Sequence, residues 1–337
     1  MILYVLGNGF TIDLIKKLTD SNLLNKNSID LKNLFSKGND FSLGTCDGYL
    51  SSNHCKCLSK LGVSTALKDD AAISFISNTV TSFNVYCNWR NNNKNHYIYH
   101  PKIGNQYIQA YDELNMYLKR LFIYYNSLIT DDMLNKLIKS NQISLLSHIK
   151  EALRKDDSVK VITYNYDIFL ERILSLSKIP FNLIGFNYDP DILVSVYKPH
   201  GSINFSCRCQ LNKNSLYERL NISMDKLYID KQLKLENSFS ALVAPFGDAY
   251  QNLTGWTTYL REEIKKIIIS PSSDKVIIFG HSYNDIDRPE IDQILVKIPE
   301  STKIAYINPY PSDTFKYVLY TIFESPIISD VLEKEIV

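Results

Sequence analysis

Hydrophobic positions along the chain alternate between near-continuous runs and helical spacing. Unbroken apolar runs predict strands buried on both faces. They fall at residues 1–6, 159–163, 193–197, 275–279 and 303–307. The first breaks at Gly7-Asn8-Gly9-Phe10 and resumes as a helix through Ile12, Leu14, Ile15 and Leu18. The second runs into a polar turn and then a helix through Ile168, Phe169, Leu170, Ile173 and Leu174. Further helices are expected over 256–269, with Trp256, Leu260, Ile264 and Ile268 on one face, and over 289–296 and 313–323. Pro289 suits an early helical position, where its missing N–H costs nothing. Strand, helix, strand in succession predicts an α/β protein, a Rossmann-like doubly wound and mostly parallel sheet.

Residues 21–157 read differently. The stretch 38–60 is polar and expected as loop, and Asn91-Asn92-Asn93-Lys94-Asn95 is a solvated loop. Between and after them helical periodicity takes over. Tyr107, Tyr111, Leu114, Leu118, Leu121, Tyr125 and Leu128 share one helix face, as do Ile143, Leu146, Ile149 and Leu153. The aromatic members are expected to pack in a core rather than to stack on a ligand. The organisation expected is a nucleotide-binding α/β domain from 1–20 and 158–325, with a mostly helical insertion at 21–157. A second, irregular excursion covers 206–240.

The chain has 337 residues, long for one core, which fits a domain with a large insertion. Its net charge of +1 gives no reason to expect a nucleic-acid or anionic-membrane surface. The opening apolar run is too short for a leader or a membrane span, and a cytoplasmic protein is expected. Six cysteines in such a chain do not make a disulfide framework. Cys55 and Cys57, and Cys207 and Cys209, form Cys-x-Cys pairs, tighter than the spacing of structural zinc ligands. Free thiols are expected and no metal.

Candidate chemistry gathers at the strand ends, where open α/β sheets bind ligands. Gly7 to Phe10 form a strand–glycine turn–helix unit, which turns backbone N–H groups and a helix N-terminus toward an anion. Asn165 and Asp167 follow the second strand. His200, between Pro199 and Gly201, follows the third. Gly280-His281-Ser282-Tyr283-Asn284-Asp285 follows the fourth and Asn308 the fifth. Each polar residue also has a structural reading as a helix cap or turn residue. An amide, a carboxylate and an imidazole on neighbouring strand ends can orient a ligand and move a proton.

This set resembles the sirtuin superfamily. The corresponding elements are Gly7-Asn8-Gly9, Thr163-Tyr164-Asn165-Tyr166-Asp167, His200-Gly201, Gly280-His281-Ser282 and Asn308. The Asn-Tyr-Asp form, Pro245 before Trp256 and the Gly-x-Ser-x-Asn-Asp form are closer to bacterial sirtuin-like proteins of antiphage defence, which hydrolyse NAD. The opening Gly-Asn-Gly-Phe and the Phe279-Gly280-His281-Ser282 stretch are also similar to abortive-infection H-type proteins. The matched segments leave most of the chain, including the helical region, uncovered. The glycine turn lacks the Ser and Arg of deacylating sirtuins, and no pair of Cys-x-x-Cys follows His200-Gly201, which weakens a deacylase reading.

The resemblance implies an NAD+ glycohydrolase that releases nicotinamide and ADP-ribose, with NAD+ as substrate. It implies that Asn165 and Asp167 contact nicotinamide and its ribose, and that His200 polarises a ribose hydroxyl or acts as general base. An imidazole, with an ordinary pKa of about 6.5, suits that task. By the same resemblance Gly7, Asn8, Gly9, Phe10, Thr163 and Gly280 belong to the NAD-binding turns. Ser282 is expected on phosphate or ribose, Asn308 on the adenosine ribose, and Asp285 on a ribose. Alternatives are an NAD-dependent deacylase or ADP-ribosyltransferase, and a non-catalytic module that senses NAD or a nucleotide. Little length follows the last expected helix, so control is expected from a homo-oligomer or a co-encoded partner such as a defence ATPase. No nucleic acid or membrane partner is expected.

Overall fold

The computed structural model describes residues 1–42, 47–92, 104–207, 222–233, 241–245, 255–269, 274–283 and 288–332. It divides into two units, one of Met1–Lys26, Leu128–His200 and Thr257–Val337, the other of Asn27–Ser127 and Gly201–Trp256.

The first unit holds a seven-stranded sheet. In chain order its strands are β1 (Ile2–Leu6), β2 (Val159–Thr163), β3 (Asn182–Leu183), β4 (Val194–Tyr197), β7 (Lys275–Phe279), β8 (Lys303–Ile307) and β9 (Ile327–Ser329). The spatial order is β3-β4-β2-β1-β7-β8-β9, and every neighbouring pair is parallel. Strands covered on both faces need apolar side chains at most positions, which is why these runs are rich in Val, Ile and Leu rather than alternating. All five residues of β1 are buried. The sheet is thus the doubly wound α/β arrangement the pattern predicts. The short outer strands β3 and β9 carry too few residues to show in that pattern.

Register sets the site. Leu6 pairs with Thr163 on one side and Phe279 on the other, and Phe279 pairs with Ile307. The residues that follow, Gly7, Tyr164, Gly280 and Asn308, therefore leave the sheet side by side. From β1 the chain builds outward to β2, β3 and β4, then returns to the other side of β1 for β7, β8 and β9. The order reverses between β1 and β7, the crevice position of such folds.

Helices α1 (Asn8–Asp20), α5 (Asp131–Lys139), α6 (Ser144–Arg154), α7 (Phe169–Leu176), α9 (Arg288–Leu295) and α10 (Asp313–Ile322) belong to this unit, with nearly all of α8 (Trp256–Ile269). The expected insertion is shorter than 21–157. The apolar faces of α5 and α6, with Leu134, Leu137, Leu145 and Ile149 buried, pack on α7, α1 and β2 and so belong with the sheet. Arg172 on α7 ties down α5 through Asp131 at 2.7 Å and the Ile129 carbonyl at 2.7 Å.

The second unit joins the helical region to the later excursion. It contains α2 (Lys56–Lys60), α3 (Asp69–Asn92), nearly all of α4 (Gly104–Leu128) and the antiparallel pair β5 (Phe205–Cys207) and β6 (Leu227–Ile229). On α4, Tyr111, Leu114, Leu118, Leu121 and Tyr125 are buried, and Tyr111 stacks on Phe83 at 3.7 Å. The Tyr117 and Tyr125 hydroxyls donate to the carbonyls of Leu34 and Asp30. The aromatic face is core, as its period suggests, except for the exposed Tyr107. Cys55 and Cys57 are buried here, and burial pushes the Cys55 thiol up to about 12, so it stays protonated at neutral pH. Cys46 and Cys209 lie outside the described residues, as does the Asn-rich stretch from 93 onward. Among the described residues no helix is long and apolar enough to cross a membrane.

The turns after β1 and β7 touch through glycine backbones. Gly280 has φ +73°, and a Cβ built there would lie 2.6 Å from the Gly9 Cα. We therefore expect Gly280→Ala to lose about 2–4 kcal/mol, from the left-handed backbone and the overlap together. Chemical denaturation checks this; an unchanged midpoint would mean the two turns are not in contact.

Candidate functional site

The glycine turns serve the approach of two loops. Gly7 N–H donates to the Phe279 carbonyl, Gly9 N–H to the Gly280 carbonyl and Gly280 N–H to the Ile307 carbonyl, each at 2.9 Å. A Cβ on Gly7 would lie 2.7 Å from the Gly280 oxygen, and one on Gly9 2.4 Å from the Gly280 Cα. The N–H groups of Gly7 and Gly9, expected to approach a pyrophosphate, are engaged within the protein. Asn8, the first helical residue of α1, is exposed, whereas Phe10 is 3% exposed and meets Phe279 edge-on. Phe10 packs in the core beneath the turn.

Asn308 likewise has both ends of its amide engaged. Its Nδ2 donates to the His281 carbonyl at 2.6 Å and the Tyr306 hydroxyl at 3.1 Å, and its Oδ1 accepts from the Tyr310 N–H at 2.9 Å. It ties the ends of β7 and β8 together. Ser282 is exposed. Asp285 lies outside the described residues.

The turn after β2 is held by a chain of buried hydrogen bonds. Thr163 Oγ1 accepts from the Asn165 N–H at 3.3 Å. Asp167 accepts from the Phe169 N–H through Oδ1 at 3.1 Å, which steadies the start of α7, and from the Thr11 hydroxyl through Oδ2 at 2.7 Å. Asn165 Nδ2 donates to Thr11 Oγ1 at 3.1 Å. A hydroxyl has a single hydrogen, and Thr11 gives it to the carboxylate, so toward Asn165 it can only accept. That fixes the amide of Asn165 with Nδ2 inward and Oδ1 as the end left to a ligand. Asp167 thus acts on Asn165 through Thr11.

Beneath this chain lies a buried charge cluster. Lys198, one residue past β4, donates from Nζ to the Asp167 backbone carbonyl and to Glu171 Oε1, the latter at 2.8 Å. The Lys198 side chain has no exposed surface. A charge so enclosed is tolerable only when paired. Burial pushes the Asp167 carboxyl above the ordinary carboxylate range, with the Lys198 charge and the Thr11 and Phe169 hydrogen bonds working against that rise.

His200 completes the site two residues after Lys198. Its ring meets Tyr164 edge-on at 4.9 Å between centroids and Tyr166 at 6.3 Å. The same Tyr164 ring also meets His281, at 5.5 Å. His200 Nε2 lies 2.6 Å from Glu290 Oε1 on α9. Of the further polar partners Thr11, Glu171, Lys198 and Glu290, only Glu171, one helical turn after Asp167, has a spacing that could have drawn attention in a linear reading.

A scan against protein-family models and a search of curated proteins found no match to the chain. Among the described residues no group of three or more His, Cys, Asp and Glu side chains is arranged to hold a metal ion.

The raised Asp167 pKa has a defined stability signature. The native state holds this proton more tightly than the unfolded chain, so the contribution is full below the ordinary pKa of 3.8 and is lost as pH rises through the folded value. Relative to wild type, Asp167→Asn should therefore gain stability as pH rises above the ordinary carboxylate value, on top of any constant loss from altered bonding to Thr11. Denaturation of both proteins across that range checks it; a difference independent of pH, or one of opposite slope, would contradict the assignment.

Proposed function

We propose that this chain hydrolyses the nicotinamide–ribose bond of NAD+, releasing nicotinamide and ADP-ribose. The observation that carries the reading is the oriented amide of Asn165, which follows β2, together with the imidazole of His200, which follows the neighbouring strand β4 and meets the rings of Tyr164 and Tyr166 on either side of Asn165 in sequence. The motif order, which resembles sirtuin-like defence proteins, supports it. Asn165 Oδ1 is an acceptor held by a fixed hydrogen-bond chain, and it suits the N–H of a carboxamide. His200 is the group able to take a proton from a water or a ribose hydroxyl as the glycosidic bond breaks. Asp167 holds the geometry of Asn165. The diphosphate of the substrate must find partners other than the Gly7 and Gly9 amides.

The reading extends to biology through the resemblance alone. NAD+ hydrolysis would deplete the cellular pool in abortive antiphage defence, in the cytoplasm. It would be restrained by self-association or by a co-encoded partner until infection.

The test is product analysis by mass spectrometry with NAD+ and purified protein at high concentration. Nicotinamide and free ADP-ribose are expected, and His200→Ala and Asn165→Ala should each lower turnover by ~10²–10⁴-fold while remaining folded. Nicotinic acid adenine dinucleotide, whose carboxylate offers no donor to Asn165, should be a poor substrate. Full activity in both variants would overturn the assignment of roles, and an acylated ADP-ribose formed from an acetyl-lysine peptide would make the protein a deacylase.

A further inference from the structure

His200 has a carboxylate partner on a distant part of the chain. Its Nε2 lies 2.6 Å from Glu290 Oε1, and each side chain is only 11% exposed. A carboxylate this close and this poorly solvated forms a strong, charge-assisted hydrogen bond. Exposed ion pairs contribute little, so burial separates this contact from the surface pairs elsewhere on the molecule.

The helix that carries Glu290 is anchored by a strained residue. Tyr283 has φ +53°, in the left-handed region that bulky side chains avoid. Such outliers persist where surrounding contacts over-determine them, and they cluster at functional sites. The contacts here are specific. The Tyr283 hydroxyl donates to Asp292 Oδ1 at 2.6 Å, and its ring stacks on Phe315 at 4.2 Å. The Arg288 guanidinium lies over the same ring at 5.5 Å, and Arg288 Nε is 3.6 Å from Asp292. Arg288 and Asp292 flank Glu290 in the first turns of α9, so these bonds fix the height and rotation at which Glu290 meets His200.

We infer that Glu290 is a positioning residue for His200, forming a dyad in which its carboxylate accepts the Nε2–H of the imidazole. That bond selects the tautomer whose basic nitrogen is Nδ1 and holds the ring rotamer. When Nδ1 takes a proton from a hydroxyl, the oxygen keeps the electron pair and the ring becomes an imidazolium with an N–H on each nitrogen. The Nε2–H remains on Glu290, which stabilises the new charge. The phenol rings of Tyr164 and Tyr166 also meet the His200 ring, and Tyr164 interacts electrostatically with Arg261 on α8. Among the described residues, Glu290 is the carboxylate placed within hydrogen-bond distance of Nε2. The dyad follows from geometry, while its part in turnover rests on the hydrolase reading.

The experiment is nitrogen-15 NMR of the histidine rings in wild type, Glu290→Gln and Glu290→Asp, with the His200 signal assigned from His200→Gln. Steady-state kinetics on NAD+ run in parallel. In wild type the neutral ring should be the Nε2–H tautomer. In Glu290→Gln the His200 titration midpoint should fall, and kcat should drop by ~10²-fold with KM changed less than about threefold. Glu290→Asp should recover part of both. An unchanged His200 tautomer and midpoint in Glu290→Gln would overturn the dyad, as would an unchanged kcat in an active enzyme. If wild type does not turn NAD+ over, the hydrolase reading fails by itself, and the NMR titration still decides whether Glu290 governs His200.

Discussion

The backbone of Gly9 rests against that of Gly280, and no side chain larger than hydrogen fits at either place. This contact sits where the strand order reverses, between β1 and β7. It joins the start of α1 to the loop after β7, and through the Gly280–Ile307 bond to the end of β8. Because α1 begins at that contact, Thr11 is carried to Asp167, 156 residues away in the chain, at 2.7 Å. The loop after β7 then leads through Tyr283 to α9 and Glu290. The glycines thus define the height of both polar constellations, and they do so by letting protein meet protein.

The second constraint is charge kept from water. Asp167, Glu171 and Lys198 share one buried region, two carboxylates against a single ammonium. The imbalance agrees with an Asp167 carboxyl that is harder to ionise than usual. Removing one partner of such a cluster leaves an uncompensated charge, at a cost of about 3–5 kcal/mol. The arrangement is justified by what lies above it. Asp167 Oδ2 accepts from the Thr11 hydroxyl, Thr11 accepts from Asn165 Nδ2, and the chain leaves Asn165 Oδ1 as an acceptor of fixed orientation. His200 obtains its own direction from Glu290 by the same device. Both groups assigned to the ligand are oriented by a carboxylate that does not itself face it, in one case through a hydroxyl.

The sheet was legible because its strands are buried on both faces, so their apolar runs are nearly continuous. β2, β7 and β8 occupy the residues the pattern predicts, as does α8. Strand ends follow from strands, and the places of Asn165, Asp167 and His200 in the fold were legible for that reason. The contacts of Gly9, Phe10 and Asn308 were not. A Gly-x-Gly turn looks the same whether its amides face a ligand or a neighbouring carbonyl, and only the register of β1 against β7 decides. The partition at 127 and 201 was equally hidden, since an amphipathic helix shows a buried face without naming what covers it. Glu290 had no local signal, because its meaning comes from a contact across 90 residues.

The most direct test of the account is the bound structure of a non-hydrolysable NAD+ analogue. The account predicts the nicotinamide carboxamide donating to Asn165 Oδ1, with the adjoining ribose at His200 and the diphosphate away from the Gly7 and Gly9 amides. An analogue seated elsewhere on the molecule, or held by those two amides with Asn165 untouched, would contradict it.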